Sequence, residues 1–237
     1  MTGRLISALR RDVALQARYG LYWISLFVVM VWGVLTGLIA GGGWADAGKA
    51  VPPLLVFNLI ITTFYFVAGL VLLEKAEGAL AALVTTPQRE EEYLLSKVLT
   101  LTSLGVAESL GVVVPLFGTG VRWAPLLMGA FLLGGLYVLL GFAVIVRYDS
   151  LHEGLLPSAV WVTLLTAPVL GHFGIASPRF FYLHPVQPSL TLMSGGYAPL
   201  SPGEAAYGAV GAAVWFGISF AAARRRFHRF VTRAAGT

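Results

Sequence analysis

Apolar residues occur along the 237-residue chain in six long stretches that polar segments separate. The stretches cover residues 21–40, 51–73, 98–118, 124–146, 154–174 and 205–223. A bilayer core of about 30 Å is crossed by about 20 apolar residues in α-helix, which each stretch supplies. A membrane β-barrel would instead show shorter segments of alternating polarity. The pattern therefore predicts an all-α polytopic membrane protein with a six-helix transmembrane domain over residues 21–223.

The first twenty residues are too polar to cross a membrane, but they carry a helical pattern. Apolar and basic residues repeat there at intervals of four and seven: Leu5, Leu9 and Val13; Arg4, Arg11 and Arg18. Such a pattern is typical of a helix that lies in the membrane interface. We therefore predict an interfacial amphipathic helix over residues 1–20, with a disordered basic leader as the alternative.

The composition limits the chemistry that the chain can perform. Hydrophobic residues make up 57% of the chain and charged residues 11%, whereas an average soluble domain has about 25% charged residues. The absence of cysteine excludes disulfides and thiolate metal sites.

The net charge of +5 is distributed unevenly across the membrane. In the six-span arrangement, 13 of the 16 lysines and arginines fall on the side of both termini, and three fall on the other side. Because cytoplasmic loops are rich in Lys and Arg, both termini are predicted to be cytoplasmic, in the plasma (inner) membrane of a bacterium. Topology and lipid headgroups then explain the basic residues, including a basic cytoplasmic tail over 224–237, and no nucleic acid is expected as a partner.

Residues 176–204 form the longest segment between spans, on the predicted outer side. The segment is rich in aromatic and aliphatic residues, and five prolines divide it into short pieces. We expect a short helix over residues 189–193 that lies on the outer leaflet or dips into it as a re-entrant segment does.

The loop between the second and third spans, residues 74–97, is densely charged. Glu74, Lys75 and Glu77 precede an apolar helical stretch over 79–84. Pro87 ends that stretch, because the residue before a proline avoids the α conformation, and three glutamates at 90–92 favour the start of a new helix. Two helices joined by a Thr-Pro turn predict a docking surface for a soluble motor, with an ordinary solvated loop as the alternative.

This loop resembles the corresponding segment of the ABC type-2 permease family, in the drug-export branch of fluoroquinolone exporter permeases. The resemblance is carried by Glu74, Glu77, Gly78, Leu80, Leu83, Thr86, Pro87, Tyr93, Leu94, Leu95 and Lys97, and Lys75 lies within the same motif. The amphipathic N-terminal helix, the six spans and the Pro-rich outer segment match as well. The resemblance implies that the loop is a coupling helix for a separate ABC ATPase, with all of these residues but Leu94 and Leu95 as candidate coupling residues. It also implies two permease copies, in a homodimer or a heterodimer.

Lys75 departs from the arginine that is usual in that family. A lysine cannot make the bidentate contact of a guanidinium, so an arginine-specific contact is not expected at this position.

Glu108 is the one acidic residue deep within a predicted span. A charged group at the bilayer centre costs roughly 2.5–3.5 kcal/mol on insertion scales and rarely faces lipid. Asn58, Thr62 and Thr63 of the second span are its expected polar neighbours. We predict a substrate path through Glu108, Asn58 and Thr62, in which Glu108 contacts a cationic group; a neutral Glu108 that only bonds another helix is the alternative.

Residues 43–49 match the nucleotide-binding pattern G-x-x-x-x-G-K, but Ala50 stands where Ser or Thr would bind Mg²⁺. The match lies in a short outer loop after a helix, so we reject it as a nucleotide site. The four histidines have no metal-ligand spacing. We expect no catalytic residue, metal or cofactor in this chain, and ATP and Mg²⁺ on the partner ATPase.

These observations predict a permease subunit of an ATP-driven ABC exporter that moves an amphipathic small molecule or drug. Two alternatives stay open. An ion-coupled secondary transporter would use Glu108 as a proton carrier and need a proton gradient but no ATPase. A non-transporting membrane scaffold would bind a partner through the loop without moving substrate.

Overall fold

The computed structural model describes residues 2–40, 44–82 and 89–235, and none of these residues forms a β-strand. Eleven α-helices are found in these ranges: α1 Thr2–Arg18, α2 Leu21–Ala40, α3 Trp44–Leu59, α4 Phe66–Ala76, α5 Ala79–Ala82, α6 Glu90–Phe117, α7 Trp123–Ile145, α8 Leu151–Thr166, α9 Pro168–His172, α10 Gln187–Ser194 and α11 Pro202–Ala235. A π-helical segment, Ile60–Tyr65, joins α3 to α4, and short 3₁₀ segments occur at Gly118–Gly120 and Pro178–Phe181.

Within the described ranges, six helical segments are long and apolar enough to cross a bilayer. They are Leu21–Leu38, Lys49–Ala76, Glu90–Phe117, Trp123–Ile145, His152–His172 and Pro202–Thr232. The predicted all-α fold with six spans is confirmed. The second span runs without a break through α3, the π-helical segment and α4. The third span begins at Glu90, where the three glutamates predicted the start of a helix, and α6 runs from there through the whole span.

α7 lies at the centre of the bundle. In its apolar span, 78% of the residues are buried inside the protein, whereas only 22% of the α2 span is buried. The exposed faces of the peripheral helices are apolar, with Trp23 77% exposed on α2, Leu156 75% on α8 and Val210 63% on α11. Apolar residues exposed at this depth are suited to contact with lipid.

The outer segment contains the short helix that the sequence predicts, as α10. Its residues Pro188, Leu190 and Met193 are buried, and it packs between α7 and α11. The close approach to α7 depends on Gly129, where a Cβ atom would lie 2.8 Å from the carbonyl oxygen of Ser189. The outer segment therefore forms part of the packed bundle.

The basic segment after residue 223 continues α11 as a helix to Ala235. An ion pair and a hydrogen bond connect it to the first turn of α6: Arg224 lies 2.9 Å from Glu91, and Nδ1 of His228 lies 2.8 Å from Oε1 of Glu90. Below them, Phe227 packs its ring 4.9 Å from the ring of Tyr93. The first turn of α6 thus packs against α11 at the end of the bundle that carries both termini.

Candidate coupling and transport sites

α1 is held to the bundle by a polar face. Ala8, Asp12 and Gln16 recur at intervals of four residues and are buried where α1 packs against α6. The amide of Gln16 donates a hydrogen bond to Oγ1 of Thr100, 2.8 Å away. Val13 belongs to the apolar stripe that suggested an interfacial helix. It does not lie on this buried face and is 44% exposed. α1 therefore has one face for the protein and another available to lipid.

A buried ion triad, formed by Asp12, Glu74 and Lys97, lies at the contact between α1, α4 and α6. Nζ of Lys97 is 2.9 Å from Oδ1 of Asp12 and 2.6 Å from Oε1 of Glu74. The other carboxylate oxygen of Asp12 accepts a hydrogen bond of 2.5 Å from the hydroxyl of Ser96. The other carboxylate oxygen of Glu74 accepts one of 2.5 Å from the hydroxyl of Tyr93. All five side chains are buried. The triad joins the N-terminal helix to the end of the second span and the beginning of the third.

The buried ion triad is energetically favourable only when the distances between its charged atoms are short. Moving a charged group out of water costs several kcal/mol, which the attraction between the charges offsets only when distances are short and the other polar atoms are bonded. The triad meets both conditions. Two carboxylates and one ammonium still leave a formal charge of −1, which the hydroxyl donors of Ser96 and Tyr93 help to stabilise. The three helices can separate here only by exposing a buried charge.

The turn after α4 is an exposed part of the loop, and we call Glu77, Gly78 and Ala79 the loop tip. All three residues are exposed. Gly78 has φ +71°, a conformation that residues with a side chain rarely adopt, and it reverses the chain between α4 and α5. Glu77 accepts a hydrogen bond from the hydroxyl of Tyr19, which raises the pKa of Tyr19, and lies 3.8 Å from Arg18.

Lys75 faces away from the ion triad and closes the end of another helix. Its ammonium donates to the carbonyl oxygens of Val146 (3.0 Å) and Tyr148 (2.8 Å) and to the carboxylate of Asp149 (2.8 Å). A cation at the C-terminal end of a helix is stabilised by the helix dipole and the free carbonyl groups. A compact ammonium with three donors fits three oxygens in this arrangement.

The structure thus divides the candidate coupling residues. Glu74, Tyr93 and Lys97 belong to one buried network, Leu80 is buried beneath the loop, and Glu77 and Gly78 are exposed. Leu83, Thr86 and Pro87, with the predicted Thr-Pro turn, lie outside the described residues. The coupling role of the whole set stays a prediction.

The predicted substrate residues meet in the interior of the bundle. Thr62 donates a hydrogen bond to Oε2 of Glu108, and Ser25 of α2 and Asn58 of α3 lie beside the same carboxyl group. Neither of these two makes a bond of good geometry, and Oε1 of Glu108 has no hydrogen-bond partner. Glu108 is only 3% exposed. Three helices therefore surround a polar cluster, Ser25, Asn58, Thr62 and Glu108, whose hydrogen-bonding capacity is only partly used.

The π-helical segment lies at this cluster. π-Helical turns are rare and are frequent at functional sites. Thr62 and Thr63 both lie within Ile60–Tyr65, and the hydroxyl of Thr63 donates to the carbonyl of Leu59, 2.5 Å away. The wider turn thereby directs Thr62 to Glu108 while Thr63 bonds the backbone.

Comparison with known proteins agrees with this architecture. Residues 3–235 match the fluoroquinolones export permease protein family. The chain belongs to this family. Two relatives named fluoroquinolones export permease proteins come from Mycobacterium tuberculosis, strains CDC 1551 / Oshkosh and ATCC 25618 / H37Rv. Each is 29% identical over 236 residues, which cover 98% of this chain and 98% of the relative.

Membership of this family confirms the resemblance that the loop sequence indicated. The chain is a multi-pass permease of a bacterial drug export system, located in the plasma membrane. Among the residues that the structure describes, no group of three His, Asp or Glu side chains comes together as a metal site would require.

Sequence analysis of the permease missed Asp12, Gln16, Ser96 and Ser25. One signal for Asp12 was available, because it is the only acidic residue among the first 45 and lies between arginines at 11 and 18. An acidic residue on an otherwise basic helix indicates a specific partner. Ser25 gave no such signal, since single serines are common in transmembrane helices.

Proposed function

We propose that this permease is the membrane-spanning half of an ATP-driven ABC exporter, and that the ATPase is a separate subunit that contacts the loop tip. The observation that carries the proposal is the ion triad beneath that tip. A loop that only contacts solvent requires no buried ionic contact with the N-terminal helix. A loop that receives force from a motor needs a stiff connection to the spans.

The triad supplies that connection. A displacement of the loop tip moves α4 directly, and Glu74 on α4 is bonded to Lys97 on α6 and through it to Asp12 on α1. Breaking one of these contacts would leave a buried charge without a partner, at a cost of about 3–5 kcal/mol. The three helices therefore move together when the ATPase pushes on the tip.

The second and third spans, which carry Glu74 and Lys97, also carry three of the four residues of the polar cluster: Asn58, Thr62 and Glu108. Lys97 and Glu108 are both on α6, about 16 Å apart along the axis at 1.5 Å per residue. Glu74 and Thr62 lie on the second span, which packs against α6. A shift of the second span against α6 would thus change the contact of Thr62 with Glu108. We propose that it opens the cluster to substrate on one side of the membrane and then on the other.

The proposed substrate is an amphipathic drug, and fluoroquinolones are the first compounds to test because both relatives are named for their export. In the cluster, Glu108 would accept a cationic amine while Asn58 and Thr62 bond its neighbouring polar atoms. The unbonded oxygen of Glu108 and both unbonded amide atoms of Asn58 support this role, since a substrate could bond them. Two permease copies would form the complete path.

Transport into inverted membrane vesicles tests the proposal. Vesicles that contain the permease and its ATPase should accumulate a fluoroquinolone when ATP is added, and should do so after the proton gradient has been dissipated. Accumulation that needs the gradient and proceeds without ATP would instead support a secondary transporter. Binding of the ATPase without any accumulation would support the scaffold.

A matched pair of substrates tests the role of Glu108. Glu108→Gln keeps the shape and removes the charge, so it should reduce transport of a fluoroquinolone with a basic piperazine and spare its N-acetyl analogue, which lacks the cationic amine. Loss of transport for both compounds would indicate proton carriage, and equal transport of both would assign Glu108 to packing. Thr36→Val is the control, because Thr36 is also buried without a hydrogen-bond partner but is not one of the cluster residues.

A further inference from the structure

A cavity that is separate from the loop tip and the polar cluster lies at the predicted cytoplasmic end of the bundle. It has a volume of about 360 Å³ and lies between the end of α4, the segment after α7 and the final turns of α11. Its lining includes Lys75, Arg147, Asp149, Arg226, Arg229 and Phe230. None of these residues except Lys75 has a role in the proposed function.

The charges in this cavity are not balanced. Lys75 is paired with Asp149, and Nη1 of Arg226 donates to the carbonyl of Ala143, 2.7 Å away. Arg147 and Arg229 both lie close enough to repel Arg226. Neither of them makes a side-chain hydrogen bond or an ion pair with the part of the chain that the structure describes. Four cations and one carboxylate leave a formal charge of +3 around one cavity.

Such a concentration of positive charge is unfavourable without an anion. Arginine groups bind phosphate oxygens with short, charge-assisted hydrogen bonds, often two at a time. The two arginines without partners leave their donor groups available for this contact. The chemistry of the cavity therefore fits a phosphate group.

The position of the cavity indicates where the phosphate comes from. α4 ends at Ala76 and α7 ends at Ile145, so the cavity lies at the boundary of the bilayer, at the depth of the lipid headgroups. Part of its lining is apolar, with the ring of Phe230 lying 4.9 Å from the ammonium of Lys75. Cationic pockets between spans on the cytoplasmic side are suited to anionic headgroups. A soluble phosphate would need no apolar wall.

We propose that this cavity binds the phosphate headgroup of an anionic phospholipid of the cytoplasmic leaflet, with Arg147 and Arg229 as its principal ligands. The headgroup neutralises the excess charge between α4, α7 and α11. Because Lys75 connects α4 to the end of α7, the bound lipid stabilises the contact between the second and fourth spans.

Native mass spectrometry of the purified full-length permease in a neutral detergent tests this proposal. The probes are phosphatidylglycerol and phosphatidylcholine with identical acyl chains, and the measured quantity is the dissociation constant of the first bound lipid. Wild type should bind phosphatidylglycerol more tightly than phosphatidylcholine. The double variant Arg147→Gln/Arg229→Gln should bind phosphatidylglycerol about 30-fold more weakly, from about 1 kcal/mol for each cation near an anionic headgroup.

The matched control removes two other arginines from the cytoplasmic side. Arg10 and Arg225 are exposed and, like the two cavity arginines, make no side-chain ion pair among the described residues. Arg10→Gln/Arg225→Gln should keep the affinity within about twofold, because neither of these arginines lines the cavity. An equal loss in both double variants would overturn the proposal in favour of a diffuse surface charge.

Competition distinguishes lipid from other anions. Excess inorganic phosphate or glycerol 3-phosphate should not displace phosphatidylglycerol, because neither contacts the apolar wall. Displacement by these soluble anions would contradict a lipid site and indicate a site for free phosphate. In another outcome, Arg147→Gln/Arg229→Gln loses binding of the ATPase while its affinity for the lipid stays unchanged. That result would assign the cavity to the partner protein and would also overturn the proposal.

Discussion

Replacing Lys97 by methionine removes the shared cation of the ion triad and keeps most of the side-chain volume. Lys97 is fully buried, and its ammonium is bonded to carboxylates at 2.9 and 2.6 Å. After the change, Asp12 and Glu74 face each other in the protein interior without a counter-charge. Loss of one partner from a buried ion pair costs about 3–5 kcal/mol. Since proteins are stable by only about 5–15 kcal/mol, Lys97→Met should lower the thermal unfolding temperature strongly.

The control for this variant is Lys49→Met, which removes an exposed ammonium. It should leave the unfolding temperature unchanged. Thermal unfolding of each purified variant in the same detergent gives the comparison. Equal unfolding temperatures for Lys97→Met and Lys49→Met would refute the argument that the triad holds the three helices together.

A third variant separates stability from coupling. Asp12→Leu/Glu74→Met/Lys97→Met removes all three charges, and replacing a whole buried ion pair by well-packed apolar residues of similar volume is often neutral for stability. This variant should unfold near the wild-type temperature. Its substrate-stimulated ATP hydrolysis should still be reduced, because the charges that resist separation of the helices are gone. Full wild-type stimulation would refute the role of the triad as the force-bearing joint.

Three further predictions address packing, pH dependence and topology. Gly129→Ala should destabilise the protein by about 1–3 kcal/mol in thermal unfolding, because its Cβ would lie 2.8 Å from the Ser189 carbonyl, whereas Gly33→Ala has open space and should not. Nδ1 of His184 accepts a hydrogen bond from the amide of Val186, and burial lowers the pKa of His184 below 6.5. The contribution of His184 to stability should therefore be fully present above pH 6.5 and be lost as the pH is lowered. Thermal unfolding of His184→Gln should depend less on pH, and an identical dependence would contradict this. Reporter fusions at 149 and 195 should report cytoplasm and exterior respectively, and a cytoplasmic signal at 195 would contradict the six-span arrangement.

The spans could be predicted from the sequence because the bilayer imposes a local rule. Twenty apolar residues in a row specify a crossing whatever the rest of the chain does. Two of the three neighbours predicted for Glu108, Asn58 and Thr62, also followed, since a carboxyl group inside a span avoids lipid and turns to polar groups on an adjacent helix. The structure brings Thr62 to Glu108 in that way. Thr63 instead bonds the carbonyl of Leu59.

The ion triad could not be predicted in the same way. Asp12 and Lys97 are 85 residues apart, and nothing in either local segment specifies their contact. The apolar stripe of α1 suggested that lipid was its main partner, whereas Asp12 and Gln16 show that a polar face is buried against α6. For the same reason, the sequence placed Glu74 and Lys97 with Glu77 in one set of candidate coupling residues, although only Glu77 is exposed. A buried charged residue connects helices, whereas an exposed one can contact a partner protein. Which of the two applies depends on the tertiary structure.

The contact between the loop tip and the ATPase is tested most directly by crosslinking. The permease has no cysteine, so Ala79→Cys introduces a single reactive thiol at the exposed tip. In native membranes, a short bifunctional reagent should join this thiol to the ATPase subunit, and a thiol at Ala198, exposed on the predicted outer side, should give no such product. Failure of Ala79→Cys to crosslink in a complex that hydrolyses ATP and exports drug, or an equal yield from Ala198→Cys, would contradict the account.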